Sequence, residues 1–103
     1  MFDKYKLYIG LNDRITKTRI CGDDLQVITI IKTVVKDCTI TFSKGVYTYQ
    51  DGTTCIEDTA IIEIIDFNSN LNIKEIIKQL GNVLNQESIA VEYLQTDSEL
   101  VFM

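Results

Sequence analysis

The sequence predicts a single α+β domain with four antiparallel strands and two helices in the order βαββαβ. Three patterns predict it: period-two alternation of apolar residues near the N-terminus, a long hairpin around Asp51-Gly52, and two segments with helical apolar spacing. The chain has 103 residues, 46% of them hydrophobic, which is enough to close one core. Because no proline and no low-complexity tract marks a linker, we expect one domain over residues 1–103.

The first strand is predicted over Tyr5 to Leu11, where apolar residues alternate with Lys6, Tyr8 and Gly10. A polar segment then leads to a helix from about Leu25 to Cys38, with Asp23 or Asp24 as its N-cap. Many residues of this segment are β-branched and favour a strand locally. The helical spacing of the apolar residues favours a helix. If this segment were a strand, the predicted fold would be wrong.

The next segment is a hairpin. Ile40 and Phe42 alternate with threonines, and the pattern resumes at Tyr47 after an interruption that predicts a bulge at Gly45. Asp51-Gly52 predicts a two-residue turn, because this pair tolerates positive φ. The return strand, from about Cys55 to Phe67, is apolar on both faces and is therefore expected at the centre of the sheet.

The second helix is predicted from Asn72, its N-cap, with Glu75 completing a capping box. An apolar stripe at i, i+3, i+4 and i+7 supports it: Ile73, Ile76, Ile77, Leu80, Val83 and Leu84. The last strand is predicted over Ser88 to Leu94. The tail, Ser98 to Met103, can add a short extra strand or none.

This order is the ferredoxin-like arrangement, in which both helices cover one face of the sheet. The other face would carry Tyr8, Ile61, Ile65, Phe67 and either Tyr47 or Tyr49. An apolar surface of this size favours a partner, so we expect a homo-oligomer.

Composition points away from catalysis. Histidine is absent, which removes the commonest general base, the usual activator of a nucleophile and the commonest transition-metal ligand. Cys21, Cys38 and Cys55 have the spacing of neither a disulfide framework nor a zinc site, and we expect reduced thiols. The sequence therefore predicts a non-catalytic binding protein without a cofactor. It shows no membrane span or secretion signal, so we expect it in the cytoplasm.

In the predicted topology three loops meet at one edge of the sheet: residues 10–22, 50–55 and 85–88. They bring together the candidate binding residues Asn12, Asp13, Arg14, Asp51, Gln86 and Glu87, with Tyr47 close by. The same residues are also common in plain turns. Asp13, Asp51 and Glu87 could hold a hard cation, but their spacing matches no calcium loop, and we predict no metal.

Charge is distributed unevenly along the chain. Residues 1–50 carry eight basic and five acidic side chains, whereas residues 51–103 carry two basic and ten acidic ones. Such an acidic surface disfavours nucleic acid and favours docking onto a basic protein. Glu57, Asp58 and Glu63 are the candidate docking residues, although acids can also serve solubility alone.

Three segments carry a resemblance: residues 6–13 (KLYIGLND), Gly45-Val46-Tyr47 followed by Asp51-Gly52, and residues 85–89 (NQESI). They resemble small uncharacterised proteins of bacteria, phages and mobile elements, which implies a setting rich in inhibitors of host defence, anti-CRISPR proteins among them. The element order also resembles that of PII-like signalling proteins. Our first expectation is therefore an inhibitor of a host defence protein that acts by acidic docking. The alternative is a PII-like oligomer that binds a nucleotide or another small molecule.

Overall fold

The computed structural model describes residues 1–20 and 22–103. Its elements are β1 (Phe2–Gly10), α1 (Asp24–Ile31), β2 (Thr39–Thr48), β3 (Thr54–Asp66), α2 (Ile73–Val83) and β4 (Ala90–Thr96). The strands form one antiparallel sheet in the order β2-β3-β1-β4. The predicted α+β, ferredoxin-like βαββαβ fold is therefore confirmed. Cys21 lies outside the described residues.

The core lies between the helices and one face of the sheet. Leu7 and Ile9 of β1 are fully buried there, as is Ile62 of β3. Each helix contributes fully buried side chains opposite them: Val27 and Ile31 from α1, and Leu80 from α2, with Leu84 just after it. Burying side chains of this size stabilises the fold by roughly 1.5–3 kcal/mol each. Both helices therefore cover the same face, as predicted.

Helix α1 is real but shorter than predicted. Asp23 is its N-cap and accepts a hydrogen bond from the Gln26 N–H (2.9 Å). The regular helix ends at Ile31 and not at Cys38. The Thr33 hydroxyl donates to the Ile30 carbonyl (2.6 Å), and such local bonds compete with the helical ladder. Val35 is still buried, because a looser turn continues the predicted apolar face.

The β2–β3 hairpin differs from the prediction in two details. Its register runs without interruption from Thr39–Glu63 to Thr48–Thr54, so no bulge exists at Gly45. The loop also has three residues, Gln50, Asp51 and Gly52, because the Tyr49 N–H donates to the Thr53 carbonyl (2.8 Å). Gly52 adopts the positive φ expected of it, at 88°. A three-residue loop of this kind needs only one such position, which glycine fills.

The second half follows the prediction closely. Asn72 caps α2 by accepting from the Glu75 N–H (3.2 Å), whereas the Glu75 carboxylate bonds to Gln79 (Nε2 to Oε1, 3.2 Å) and not back to the cap. β4 begins two residues later than predicted. The tail from Ser98 to Met103 forms no strand.

The face of the sheet away from the helices is called the open face here. Tyr8, Ile61 and Ile65 lie on it half-buried, as predicted, while Phe67 packs against Phe2 with ring centroids 5.1 Å apart. Charged residues share this face: Glu63 pairs with Lys4 (3.5 Å) and with Lys6 (3.8 Å). The open face is therefore mixed and not purely apolar.

In the described part of the chain, no helix has the length and apolar character needed to cross a bilayer.

Candidate functional site

The three predicted loops do meet at one edge of the sheet. The Gln86 amide donates to the Asn12 carbonyl (Nε2 to O, 2.7 Å), and the Asn85 amide donates to Asp13 (Nδ2 to Oδ2, 2.5 Å). The Glu87 carboxylate accepts from the Gln50 N–H (3.4 Å). These bonds join residues more than 35 positions apart, so the edge has a defined geometry.

Several predicted site residues are engaged in turn chemistry at this edge. Asp13 accepts from the N–H groups of Ile15 (2.8 Å) and Thr16 (3.0 Å), and Asp51 accepts from the Thr53 N–H (2.9 Å). Hydrogen bonds from Asn85 and from the loop backbone lower the pKa of Asp13. The Arg14 side chain is exposed. Among the described residues, no group of three or more acidic or thiol side chains has metal-binding geometry.

Glu57 stands apart from the other predicted residues because its side chain is buried, with 6% exposure. It comes from β3, near the end of the open face that adjoins the three loops. One carboxylate oxygen, Oε2, accepts a hydrogen bond from the Asn12 N–H (2.7 Å). Burial raises the pKa of Glu57, and the bond from Asn12 opposes that shift only in part. A carboxyl group in this environment interacts favourably with a positively charged group.

Two glycines make room for side chains beside β3. A Cβ atom at Gly10 would lie 2.7 Å from Cδ of Glu57. A Cβ atom at Gly45 would lie 2.5 Å from Oγ1 of Thr59 and 2.5 Å from the Tyr47 ring. Glycine inside a strand often marks such a close approach. Close packing against Thr59 and Tyr47 therefore explains the glycine at position 45, where the sequence had predicted a bulge.

Aromatic side chains from β2 and the following loop lie next to these glycines. The Tyr47 hydroxyl hydrogen-bonds to the Thr59 hydroxyl (3.2 Å). The Tyr49 hydroxyl hydrogen-bonds to the Cys55 thiol (3.3 Å), and this bond, with burial and the nearby Glu57, raises the pKa of Tyr49 to about 12. Tyr49 is therefore a neutral phenol at any physiological pH. We call this group the Glu57 site, comprising Gly10, Asn12, Gly45, Tyr47, Tyr49, Cys55, Glu57 and Thr59.

Tyr49 already carries a cation on its ring. The Lys17 amine lies 3.5 Å from the ring centroid and 3.9 Å from the Asp51 carboxylate. Aromatic faces attract cations in this way. The edge of the Glu57 site thus combines an aromatic ring with carboxylates, a combination that suits a cationic ligand.

The three candidate docking acids do not form one surface. Glu57 is buried in the Glu57 site, and Glu63 is paired with two lysines farther along the open face. Asp58 points to the helix side, where it pairs with Arg19 and Lys44. These two cations lower the pKa of Asp58.

Sequence reasoning named Asn12, Tyr47 and Glu57 but did not place them in one site with Gly10, Tyr49, Cys55 and Thr59. The glycines were the available signal, since Gly10 and Gly45 each lie within a predicted strand. The carboxylate that fills the space above Gly10 comes from a strand 47 positions later, which the pattern alone does not identify.

No family model and no curated protein sequence matches this chain. Among solved structures it is similar to a phage SAM lyase in complex with S-methyl-5′-thioadenosine, with 21% identity and a TM-score of 0.74. That match covers 91% of this chain and 81% of the other. It is also similar to a phage SAM lyase in the apo state, with 24% identity and a TM-score of 0.64, covering 89% and 78%.

These likenesses show a shared fold. They agree with the predicted resemblance to small phage proteins and leave the anti-CRISPR and PII-like resemblances unconfirmed. They also contradict the prediction of a non-catalytic protein, because the proteins that share this fold are lyases and therefore enzymes. The absence of histidine argues only against mechanisms that need an imidazole, and a buried carboxyl group leaves other chemistry open.

Proposed function

We propose that this protein is a lyase that cleaves S-adenosylmethionine, with Glu57 as the carboxylate that contacts the substrate. The observation that carries the proposal is the buried Glu57 carboxyl, set over Gly10 on the open face of a fold shared with a SAM lyase. A buried carboxyl with a raised pKa is typical of functional sites.

The substrate's charge fits this site. S-adenosylmethionine carries a sulfonium cation and an ammonium group, and both are attracted to a carboxylate in a weakly screened environment. The Tyr49 ring attracts a cation, as the Lys17 amine over it shows, and a positive group of the substrate would displace Lys17 from that face. The Tyr47 and Tyr49 hydroxyls can hydrogen-bond to the ribose or adenine.

The proposed step breaks the bond between the sulfonium sulfur and the γ-carbon of the amino-acid arm. The bonding electron pair goes to sulfur, which becomes the neutral thioether of S-methyl-5′-thioadenosine. The γ-carbon fragment is completed in one of two ways: its own carboxylate oxygen bonds to the γ-carbon and closes a lactone, or a base removes a β-proton and an alkene forms. Ring closure needs no general base, so a chain without histidine can catalyse it.

Glu57 has a distinct role in each route. In ring closure it binds the cationic part of the substrate and holds the arm so that the substrate's carboxylate oxygen faces the γ-carbon opposite the leaving sulfur, a proximity effect. In elimination it takes the β-proton, for which its raised pKa is favourable. The identity of the four-carbon product distinguishes the two roles.

We retain the homo-oligomer as part of the proposal. Tyr8, Ile61 and Leu94 leave apolar area on the open face, on which the Glu57 side chain also lies. A second copy against this face would exclude water from the site and strengthen its electrostatics. Light scattering coupled to gel filtration tests this: we expect an oligomer from the wild type and smaller species from Ile61→Lys. A wild-type monomer would contradict it.

Acidic docking onto a host defence protein has less support than cleavage. Glu57 is buried, and the charges of Asp58 and Glu63 are largely balanced by neighbouring lysines and Arg19. The alternative of a nucleotide-type ligand is partly kept, because S-adenosylmethionine contains adenosine.

The deciding experiment incubates the purified protein with S-adenosylmethionine and follows both products by liquid chromatography and mass spectrometry. We expect S-methyl-5′-thioadenosine from the wild type and at least about 100-fold less from Glu57→Gln. Glu75→Gln is the matched control, because it removes the same charge from the exposed surface of α2. No product from the wild type, or equal rates for wild type and Glu57→Gln, would contradict the proposal.

A further inference from the structure

Arg19 connects three parts of the fold beside the Glu57 site. Its Nη2 donates to Asp24 in the first turn of α1 (2.7 Å), and its Nη1 donates to Asp58 of β3, the residue that follows Glu57. The side chain is only 24% exposed. Its Nε atom is buried and has no hydrogen-bond partner among residues 1–20 and 22–103. An arginine held this firmly is unusual at a surface, where most ion pairs contribute little.

The backbone of Arg19 faces Asn12. Residues 11–20 form a small antiparallel hairpin, in which the Asp13 N–H donates to Thr18 (2.7 Å) and the Ile20 N–H donates to Leu11 (2.9 Å). Asn12 and Arg19 are the paired residues between these two bonds. The Asn12 N–H that bonds to Glu57 therefore sits on a hairpin whose other strand is tied down by the Arg19 side chain.

The hairpin of residues 11–20 has a second connection to β3, at Asp58. The Leu11 N–H donates to the Asp58 carbonyl (2.9 Å), so the hairpin joins β3 through its backbone next to the point where Arg19 joins it through a side chain. The strand of the hairpin that contains Asn12 is also held from the other side, where the amides of Gln86 and Asn85 donate to the Asn12 carbonyl and to Asp13. The Arg14 N–H donates to the Asn85 carbonyl as well (3.3 Å). The ion pairs of Arg19 with Asp58 and Asp24 hold the opposite strand of the hairpin.

We infer that Arg19 is a positioning residue, which holds the Asn12 N–H on the Glu57 carboxylate and so orients Glu57 for the cleavage proposed above. Its consequence for catalysis rests on that proposed function, whereas its effect on Glu57 can be measured without any substrate.

Lys44 provides a matched control. Its amine also pairs with Asp58, but it is 75% exposed and its backbone lies in β2, opposite Asp58. Removing Lys44 takes one cation from the same carboxylate and leaves the hairpin untouched. Removing Arg19 takes one cation and also releases the hairpin strand that is paired with Asn12. Arg19→Lys keeps the charge but lacks the planar fork by which two separate nitrogens bond to Asp58 and Asp24, so it should hold the two acids less firmly.

The test is a pH titration followed by NMR, with the side-chain carboxyl of Glu57 and the backbone amide of Asn12 observed in the same samples. In the wild type the Asn12 amide shift should follow the titration of Glu57. In Arg19→Gln the pKa of Glu57 should rise further, because the bond from Asn12 that lowers it is lost, and the Asn12 amide should stop following it. Lys44→Gln should titrate like the wild type, and Arg19→Lys should fall in between.

Equal Glu57 titrations in the wild type, Arg19→Gln and Arg19→Lys, with the Asn12 amide unchanged, would overturn the inference. So would an equal change in Lys44→Gln, since that would indicate a general charge effect. If Arg19→Gln does not fold, Arg19→Lys and Asp24→Asn provide the same comparison with smaller changes.

Turnover separates this inference from the proposed function. With cleavage present, Arg19→Gln should lower kcat roughly 10- to 100-fold with little change in KM, because a misplaced catalytic group affects the reaction more than binding. A wild type that makes no S-methyl-5′-thioadenosine overturns the proposed function and the catalytic consequence. A coupled Glu57–Asn12 titration that depends on Arg19 would still support the positioning itself.

Discussion

Gly10 of β1 lies directly beneath the carboxylate of Glu57 on β3, and the two residues share a space that no larger residue at position 10 would leave open. A Cβ atom at Gly10 would lie 2.7 Å from Cδ of Glu57, well inside the contact distance of two carbon atoms. The buried carboxyl and the glycine in the neighbouring strand therefore form one structural unit.

Gly10→Ala tests this unit. We expect cleavage of S-adenosylmethionine to be lost and the free energy of unfolding to fall by about 1–3 kcal/mol, because the new methyl group displaces a buried side chain. Product formation and chemical denaturation are the two measurements.

Gly81→Ala is the control for that substitution. Its Cβ would meet only the Gln86 carbonyl oxygen, at 3.6 Å, an ordinary contact. Because Gly81 lies inside α2, alanine should raise the free energy of unfolding by about 0.5–1 kcal/mol. Wild-type stability and turnover in Gly10→Ala would show that Glu57 does not depend on this space.

The raised pKa of Glu57 predicts how stability depends on pH. A carboxyl group whose pKa is higher in the folded state holds its proton more tightly there, so its contribution is complete below the ordinary pKa of 4.5 and is lost as pH rises through the raised value. Glu57→Gln has no carboxyl group to ionise at this position, so its stability does not fall in this way as pH rises. Each unit of pKa difference corresponds to about 1.4 kcal/mol.

We therefore expect the free energy of unfolding of Glu57→Gln, relative to the wild type, to increase from pH 4.5 upward and then level off. Urea denaturation at a series of pH values measures it, with Glu75→Gln as the exposed comparison. A constant difference between Glu57→Gln and the wild type across this range would contradict the raised pKa.

Helix α1 depends on its N-cap, since its β-branched residues favour strands. Asp23 accepts from the Gln26 N–H (2.9 Å), and Gln26 bonds back to the Asp23 N–H (3.2 Å), which completes a capping box. Asp23→Ala should lower the free energy of unfolding by about 1 kcal/mol. Asp23→Ser, which keeps a capping oxygen, should recover most of it. Equal losses in both variants would indicate that another feature of Asp23 matters.

Substitution of Leu80 tests whether the core lies between α2 and the sheet. Its side chain is fully buried between α2 and the sheet, so Leu80→Ala should lower the free energy of unfolding by about 2–5 kcal/mol. Leu25 lies on a helix as well but is 70% exposed, and Leu25→Ala should change stability by no more than about 0.5 kcal/mol. Similar losses for the two variants would place the core elsewhere.

For much of the site, the sequence predicted which segments lie close together but not which residues contact each other. Alternation along β1 and the hairpin placed three loops at one edge, and Asn12, Gln86 and Glu87 do meet there. The pairing of Glu57 with Asn12 was not predictable, because it joins residues 45 positions apart through a backbone N–H. Backbone groups carry no residue-specific signal, and the acid next to it, Asp58, looks the same in sequence but faces the helices.

The sequence by itself determined the element order, the N-cap of α2 and most of the core-facing residues, because these follow from local periodicity and from side chains that satisfy nearby backbone groups. It left Asp23 and Asp24 as alternative caps of α1, and Val83 of the predicted apolar stripe is 47% exposed. Tertiary structure alone decided which of two adjacent acids is buried and which is paired. Glu57 turns to the open face above Gly10, while Asp58 turns to Arg19 and Lys44. The physical reason is that a carboxyl group's burial and pKa depend on neighbours brought together from distant strands, and those neighbours exist only once the sheet has formed.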